Sequence, residues 1–221
     1  MKTVSSFVEH YIKAKPHLLY SLGQGIINLT SLARIMMPEI EKELGKEIKQ
    51  GAVVMSLKRL TEELDFRINY RLRKVLVNIG QITVRSNLTD FAFAVSDTLL
   101  QNQAKLMAEL NDKKDVFYTS SRGVDDSNIV ISSSYEGLVD KFFKNEKVNH
   151  KTSDLSSITV KLPDENIAVP GVYYFIFQRL AWEGVVIHEV ISTATEFTII
   201  INDDQIDIAF KVIKDLKNTV D

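Results

Sequence analysis

A pattern of strand, helix, strand, strand, helix occurs twice in the chain, with the two copies about 70 residues apart. The first copy predicts strands at 90–95, 115–123 and 127–134 and helices at 96–110 and 135–145. The second copy predicts strands at 157–163, 185–193 and 195–203 and helices at 170–184 and 204–217. Such a unit buries its helices on one face of an antiparallel sheet, so the repeat predicts an α+β fold with two ferredoxin-like βαββα units.

The N-terminal region has no strand pattern and predicts helices. Apolar residues recur at helical spacing in four segments, 4–12, 16–22, 28–45 and 50–64. Asn28 or Thr30 is expected to cap the third helix, Pro38 to break or kink it, and Gly45 to end it. The Arg-rich stretch that follows is expected to leave the helix and enter a strand at 81–87. That strand is either a wing of this region or the first strand of the next domain.

Changes in composition suggest where the domains meet. A polar run at 145–157 is typical of a connection between the two copies. We therefore predict a helical domain, a first βαββα domain and a second one, at 1–75, 76–150 and 151–221.

The residue types exclude several kinds of chemistry. The 221-residue chain has no cysteine, which excludes disulfides, thiolate zinc sites and cysteine nucleophiles. Its four histidines show no metal-ligand spacing, and no phosphate-binding glycine loop or serine-hydrolase motif occurs. The pairs Asp125–Asp126 and Asp203–Asp204 are expected to form a turn and a helix cap. We expect no catalysis, no metal and no cofactor.

Hydropathy predicts a location for the chain. No window approaches 18 uninterrupted apolar residues, so no membrane span is expected. The first 15 residues lack the continuous apolar core of a signal peptide. The cytoplasm is therefore the predicted location.

Charge is unevenly distributed, although the net charge is only −2. Residues 1–75 carry 13 Lys and Arg against 8 Asp and Glu, whereas the rest of the chain carries 14 against 21. Such an asymmetry is typical of a nucleic-acid-facing end joined to an end with another role. Chance variation on a solvated helical surface gives the same asymmetry, so both interpretations stay open.

The second copy resembles an ACT domain, in particular the kind found in the regulatory part of aspartate kinases. The resemblance covers about 60 residues. It rests on Val169-Pro170-Gly171-Val172 at the strand-to-helix turn, Leu180 and Gly184 at the helix end, and 185–187 in the next strand. The run VISTATEFTIII (190–201) is similar to the Ile-Ser-Thr-Ser strand of aspartate kinases, and 206–216, with Ala209, matches the usual last helix. The first copy looks like a degenerate relative, because it has no Pro-Gly turn at Ser96–Thr98.

Three features depart from the family pattern. The chain has no kinase domain, so the resemblance implies regulation without aspartate kinase activity. The second strand of the unit is one or two residues longer than usual. The unit also ends without a clear fourth strand. Either 81–87 or a neighbouring chain is expected to fill that position, because an open sheet edge invites pairing.

The resemblance also implies a ligand site, since ACT domains bind amino acids or other small ligands at this turn, often across a dimer interface. A helix N-terminus presents unpaired N–H groups to a carboxylate, and glycine lets a ligand approach the backbone. The implied contacts are Asn166, Ala168, Val169, Gly171 and Val172 on the turn, with Val186 and His188 on the adjoining strand. The alternative is that Pro-Gly only makes a tight turn before a solvated helix.

The helix after this turn is apolar on nearly every side. Val172, Phe175, Ile176 and Leu180 share one face with Arg179, and Tyr173, Phe177 and Trp182 cover other faces. A helix of this kind is typically buried on two sides. We therefore predict a homo-oligomer in which another copy covers the second side.

The helical region resembles a winged-helix or helix-turn-helix domain, mainly through NLTSLARIM (28–36) and GAVVMSLKRL (51–60). In such domains one helix lies in the major groove of double-stranded DNA, with phosphate contacts around it. The implied DNA contacts are Lys49, Ser56, Lys58, Arg59, Arg67 and Arg71. Glutamates nearby reduce the positive charge, and a helical group of this kind also serves as a protein-docking module.

Together these features predict a regulator that is not an enzyme. Tandem ACT-like domains would sense a small-molecule effector, an amino acid first of all, and the N-terminal domain would act on DNA. Ligand binding would favour one packing of the sheets and so change the spacing of the N-terminal modules. The alternative is a protein-interaction or assembly subunit whose ACT-like domains only oligomerise.

Overall fold

The computed structural model describes residues 3–23 and 25–217, and the side chains of residues 16, 19, 20 and 63–70 lie outside this description. The chain divides into two compact units, Met1–Lys74 and Val75–Asp221. Within the described residues, no helix is long and apolar enough to cross a membrane.

The first unit is built from four helices, α1 (Val4–Lys13), α2 (Pro16–Gly23), α3 (Leu29–Leu44) and α4 (Gln50–Val77), of which α4 runs past the division between the units. The apolar stripes of these helices meet in one core. Its buried members are Val8, Tyr11, Ile12, Leu22, Leu32, Ala33, Met36, Ile40, Val53 and Leu57. Residues 3–23 and 25–74 contain no strand, so no wing lies in the described part of this unit.

The ends of α3 follow the sequence signals, but its middle does not. Asn28 accepts a hydrogen bond from the backbone of Ser31 through its side chain, and Gly45 ends the helix in the left-handed conformation. Pro38 does not break α3, which runs without interruption to Leu44. Pro38 is exposed, so the carbonyl group that loses its N–H partner can bond to water instead.

Helix α4 is longer than predicted. It continues past residue 64 to Val77, a length of 28 residues, through the Arg-rich stretch that we expected to be non-helical. Arginine, leucine and lysine are strong helix formers, and this stretch contains no proline or glycine.

In the second unit, residues 75–217 form one antiparallel sheet of six strands, four α-helices and three short 3-10 helices. In chain order its elements are β1 (Ile82–Ala94), α5 (Leu99–Leu110), β2 (Tyr118–Arg122), β3 (Asp126–Ser132), α6 (Glu136–Phe142), β4 (Val148–Lys161), α7 (Val172–Trp182), β5 (Ile187–Ser192), β6 (Glu196–Asn202) and α8 (Ile206–Asp215). The strand order across the sheet is β2-β3-β1-β4-β6-β5. The βαββα repeat is therefore present, but its two copies share a sheet.

Strands β1 and β4, the first strand of each copy, pair antiparallel at the centre of this sheet. Each copy thus uses the first strand of the other copy in place of a fourth strand of its own. Residues 82–85 of β1 pair with 157–160 of β4, so the predicted strand at 81–87 fills the open position within the chain. The polar run at 145–157 is not a connection, because β4 begins at Val148.

Matching irregularities show that the two copies are related by a pseudo-twofold axis. Leu88 and Leu155 lie opposite each other at the centre of the β1–β4 pair. Asn87 and Asp154, which precede them, both have positive φ, at 57° and 56°. Asparagine and aspartate tolerate this left-handed conformation better than other non-glycine residues.

Hydroxyl groups continue the correspondence on the helix side of the sheet. Thr89 hydrogen-bonds Ser133, where the segment leading to α6 begins, at 2.8 Å. Ser156 donates to Asp203, where the segment leading to α8 begins. Both copies therefore fix their last helix to the central strand pair by the same kind of contact.

The sheet curls strongly. His188 of β5 hydrogen-bonds Asp90 of β1 at 2.9 Å, although two strands, β4 and β6, lie between them. At a strand spacing of about 4.8 Å, a flat sheet would hold β1 and β5 about 14 Å apart. The face opposite the helices is therefore concave. It encloses Leu88, Val130, Leu155 and Ile200, with Phe117 and Ile191 packed against them.

We expect Leu88→Ala to lower the free energy of unfolding by about 2–5 kcal/mol, because it leaves a cavity where the two copies meet. Leu88 is 0% exposed. Val84→Ala, on the same strand but 41% exposed, should cost less than about 1 kcal/mol. Urea unfolding followed by circular dichroism measures both. Equal losses would contradict the central position of Leu88.

Candidate functional site

The turn between β4 and α7 is the predicted ligand site. Asn166 lies in a short 3-10 helix of this turn and is 7% exposed. Its side-chain amide donates to the backbone carbonyl groups of Pro163 and Ala194, both at 2.9 Å. Asn166 thereby fixes the turn to the connection between β5 and β6. The residues after it lead into α7.

Gly171 caps α7 without any side-chain hydrogen bond. Its φ of 93° and ψ of −4° place it in the left-handed region that favours glycine. The backbone N–H of Phe175 donates to the Gly171 carbonyl at 2.9 Å, which is the first hydrogen bond of the helix. The backbone N–H groups of residues 172–174 therefore have no acceptor within the helix. Pro170 and Gly171 are exposed, and a Cβ at Gly171 would have no atom within 4 Å. The helix N-terminus is therefore open to a ligand.

The structure brings most of the predicted contacts together, but not all of them. Asn166, Ala168, Val169, Gly171 and Val172 lie on the one turn, with Asn166 and Val172 buried. The residues of β5 next to this turn are at its C-terminal end, where the hydroxyl groups of Tyr173 and Ser192 lie 2.6 Å apart. The sequence resemblance did not indicate these two hydroxyl groups.

Val186 and His188 lie at the other end of β5. Five residue steps, about 16 Å of extended strand, separate Ile187 from Ser192. The backbone N–H of Val186 donates to Gln205, and His188 contacts Asp90. The strand runs antiparallel to β6, which places only its last residues beside the turn of the same chain. A ligand contact with Val186 or His188 stays a prediction.

The same turn in the first copy already holds a carboxylate. The side chain of Glu146 accepts hydrogen bonds from Ser96 at 2.6 Å, from Thr98 at 2.7 Å and from Asn102 at 2.7 Å. Ser96 also accepts from the backbone N–H of Leu99, the first residue of α5. Burial works to raise the pKa of Glu146, but the three hydrogen bonds outweigh it and the pKa lies below its usual value.

The two turns differ in their polar side chains, although neither helix has a side-chain hydrogen bond from its N-cap residue. In the first copy three polar side chains hold the carboxylate of Glu146 beside the start of α5. In the second copy Gly171 offers no side chain, and no side-chain cap is present. The first turn thus contains a carboxylate of the chain itself, whereas Pro170 and Gly171 of the second turn are exposed.

Helix α7 is buried on one face only within the chain. Val172, Phe175, Ile176 and Leu180 are its buried residues, whereas Trp182 is 69% exposed. Trp182 lies in a groove of about 280 Å³ between α7 and α8, whose other lining residues include Arg179, Glu183, Ile208, Lys211 and Val212.

The predicted DNA contacts differ in their exposure. Ser56 is buried, and its hydroxyl donates to the backbone carbonyl of Ala52, so it cannot contact DNA as we expected. Its place on the buried face of α4 explains this, since it neighbours the core residue Leu57. Lys49, Lys58, Arg59 and Arg71 are exposed, whereas the side chain of Arg67 lies outside the described residues.

Among the described residues, no three His, Asp or Glu side chains are arranged to hold a metal ion. No protein-family model and no curated protein matches the chain.

Solved structures match the fold. The regulatory subunit of aspartate kinase from Thermus thermophilus superposes with a TM-score of 0.51 and 10% sequence identity, over 62% of this chain and 97% of that one. Aspartate kinase from Clostridium acetobutylicum gives 0.52 and 16%, over 63% of this chain and 35% of that one. Aspartate kinase from Synechocystis gives 0.52 and 14%, over 64% and 27%.

This chain contains the fold of an aspartate kinase regulatory subunit. It spans nearly the whole of the Thermus subunit but only about a third of the Clostridium enzyme. At these identities the likeness shows the fold alone, and more than a third of this chain lies outside it.

We expect Gly171→Ala to lower stability by about 1–2 kcal/mol, because an L side chain at positive φ is strained. Gly137→Ala is the matched control. Gly137 lies in α6 without positive φ or a close neighbour, so this change should stabilise by about 0.5–1 kcal/mol. Urea unfolding of the two variants should therefore show opposite signs. The same sign for both would contradict the turn conformation.

We expect Glu146→Gln to lower stability at neutral pH by an amount that shrinks in acid. The folded state depresses the pKa of Glu146, so its contribution is present above the unfolded carboxyl pKa of about 4.3 and is lost as pH falls below it. Urea unfolding at neutral and acid pH measures the difference. The control is Glu196→Gln, an exposed carboxylate of β6, which should change stability little at either pH. A Glu146 effect that does not depend on pH would contradict the role of its charge.

Proposed function

We propose that the second unit is a non-enzymatic regulatory module that binds a small carboxylate, an amino acid first of all, at the turn before α7. The observation that carries this proposal is the contrast between the two turns. The first copy holds the Glu146 carboxylate at its turn, whereas Gly171 offers no side chain and is exposed together with Pro170. The regulatory-subunit fold adds support.

The ligand carboxylate accepts hydrogen bonds from the backbone N–H groups at the start of α7, where the helix dipole also favours negative charge. Gly171 lets the ligand approach the backbone, and Asn166 holds the turn in place through its two hydrogen bonds to backbone carbonyl groups. Tyr173 and Ser192 offer hydroxyl groups to a polar substituent of the ligand. This arrangement within one chain uses no contact with Val186 or His188, which lie at the other end of β5.

Ligand binding at the turn can influence the rest of the unit, because contacts connect this turn to the sheet. Asn166 ties the turn to the β5–β6 connection, and β6 pairs with β4, which pairs in turn with β1 of the other copy. A ligand that binds one arrangement of this turn more tightly shifts the population toward that arrangement. Action on DNA through exposed Lys58 and Arg59 of α4 stays a prediction.

The second candidate function is assembly. The groove beside Trp182 combines apolar Trp182, Ile208 and Val212 with basic Arg179 and Lys211 and acidic Glu183. A surface with both signs of charge around an apolar centre can pair with a copy of itself across a twofold axis. In this alternative the module joins chains without sensing a ligand.

A thermal-shift screen of the full chain against the twenty amino acids tests the sensing function. A ligand at 100 times its dissociation constant should stabilise by about 2.7 kcal/mol. The carboxamide of the active amino acid is the matched control. It should give no shift, because the N–H groups of α7 and the helix dipole favour a negative charge. Calorimetric titration should give one ligand per chain, since Glu146 fills the other turn.

Two results would count against sensing. No shift with any amino acid would overturn it, and so would an equal shift with the carboxamide. If sedimentation then showed a dimer that Trp182→Glu dissociates, assembly would be the supported function.

A further inference from the structure

Unsatisfied polar atoms gather on the concave face of the sheet, away from the turns. Among the described residues, five buried side-chain oxygen atoms have no hydrogen-bond partner. Three of them, in Asp90, Thr152 and Glu189, come from strands that the curl brings together. Native proteins rarely bury such atoms without a partner, and an ion or ordered water is a common explanation.

Pairing and curl together place these three residues at one site. Asp90 and Thr152 lie directly opposite each other on β1 and β4, so their side chains share a face and their Cβ atoms lie about 5 Å apart. The register of β5 shifts between Ile187 and Glu189. This bulge lets both His188 and Glu189 face β1, and His188 Nε2 donates to Asp90 Oδ2 at 2.9 Å.

The site is short of positive charge. It contains two carboxyl groups, and Asp90 is only 5% exposed. Burial raises the pKa of Glu189, and the nearby charge of Asp90 raises it further, against the hydrogen bond from Asn128 and the charge of His188. His188 brings at most one positive charge. Lys151, the neighbour of Thr152 on β4, is paired with Glu136 at 2.7 Å.

The chemistry of the free atoms defines what can satisfy them. An ionised carboxylate oxygen only accepts hydrogen bonds or binds cations, and the threonine hydroxyl oxygen can do the same. A buried negative charge is costly unless it is paired. The described residues offer no three-ligand group for a metal such as zinc. A small cation held by oxygen atoms fits the site.

We propose that Asp90, Thr152 and Glu189 bind one monovalent cation, an ammonium or alkali-metal ion, which fastens β5 to β1 across the concave face. The cation neutralises the second carboxylate and supplies partners for the three free oxygen atoms. It stabilises the curl of the sheet. This site does not depend on the ligand proposed for the α7 turn.

The test is the thermal unfolding of the full chain at neutral pH and constant ionic strength. Tetramethylammonium chloride, whose cation has no N–H group and is too large for the site, is replaced stepwise by ammonium, potassium or sodium chloride. At least one of the three should raise Tm by about 2 °C or more, and the rise should saturate. The arm that gives the largest rise identifies the preferred ion. Equal Tm values in all four salts would overturn the proposal.

Glu189→Gln separates a bound cation from a general salt effect. In tetramethylammonium this variant should match or exceed the Tm of the unchanged protein, because it removes a poorly paired charge. In the preferred cation it should show no saturating rise. A full response in Glu189→Gln would overturn the proposal, as would a Glu189→Gln variant that is less stable than the unchanged protein in both salts by the same amount.

Asp154→Asn is the matched control. Asp154 is an exposed carboxylate of β4, and asparagine tolerates its positive φ equally well. This variant should keep the full cation response. Its loss in Asp154→Asn would show that the response depends on net charge and not on the site.

Discussion

The pairing of β1 with β4 is the contact on which the second unit depends. Neither copy of the βαββα pattern has a fourth strand, and each takes the first strand of the other instead. The long strands needed for this pairing carry left-handed residues at matching places, Asn87 and Asp154, immediately before the central Leu88–Leu155 pair. The curl of the sheet, the apolar core on its concave face and the site at Asp90 all belong to the continuous sheet that this pairing makes.

The two copies differ where each leaves its first strand for a helix. The first copy has a carboxylate of its own at this position, held by Ser96, Thr98 and Asn102. The second copy has Gly171 there, with an exposed backbone and no side-chain cap. The same turn thus holds the Glu146 side chain in the first copy and is exposed in the second. This contrast gives a physical reason to place the proposed ligand site in one copy only.

Local patterns in the sequence predicted the βαββα order and the Gly171 turn, because alternation, helical spacing and glycine act over a few residues. They did not predict that β4 begins at Val148, since its first seven residues are mostly exposed and polar and only their pairing with β1 makes them a strand. The contact of Glu146 with Ser96 joins residues 50 positions apart. The contact of His188 with Asp90 joins residues 98 positions apart and requires the curl of the sheet.

Reciprocal strand exchange has a consequence for how such a fold can arise and how it can be divided. A chain cut to one half would expose the edge of its first strand, and the surface that fits this edge is the same strand of a second copy. Two identical halves could therefore pair through their first strands and rebuild a six-stranded sheet as a symmetric dimer. In the intact chain the connection from α6 to β4 joins the two halves covalently. Because the two halves then belong to one sequence, their equivalent turns can carry different residues.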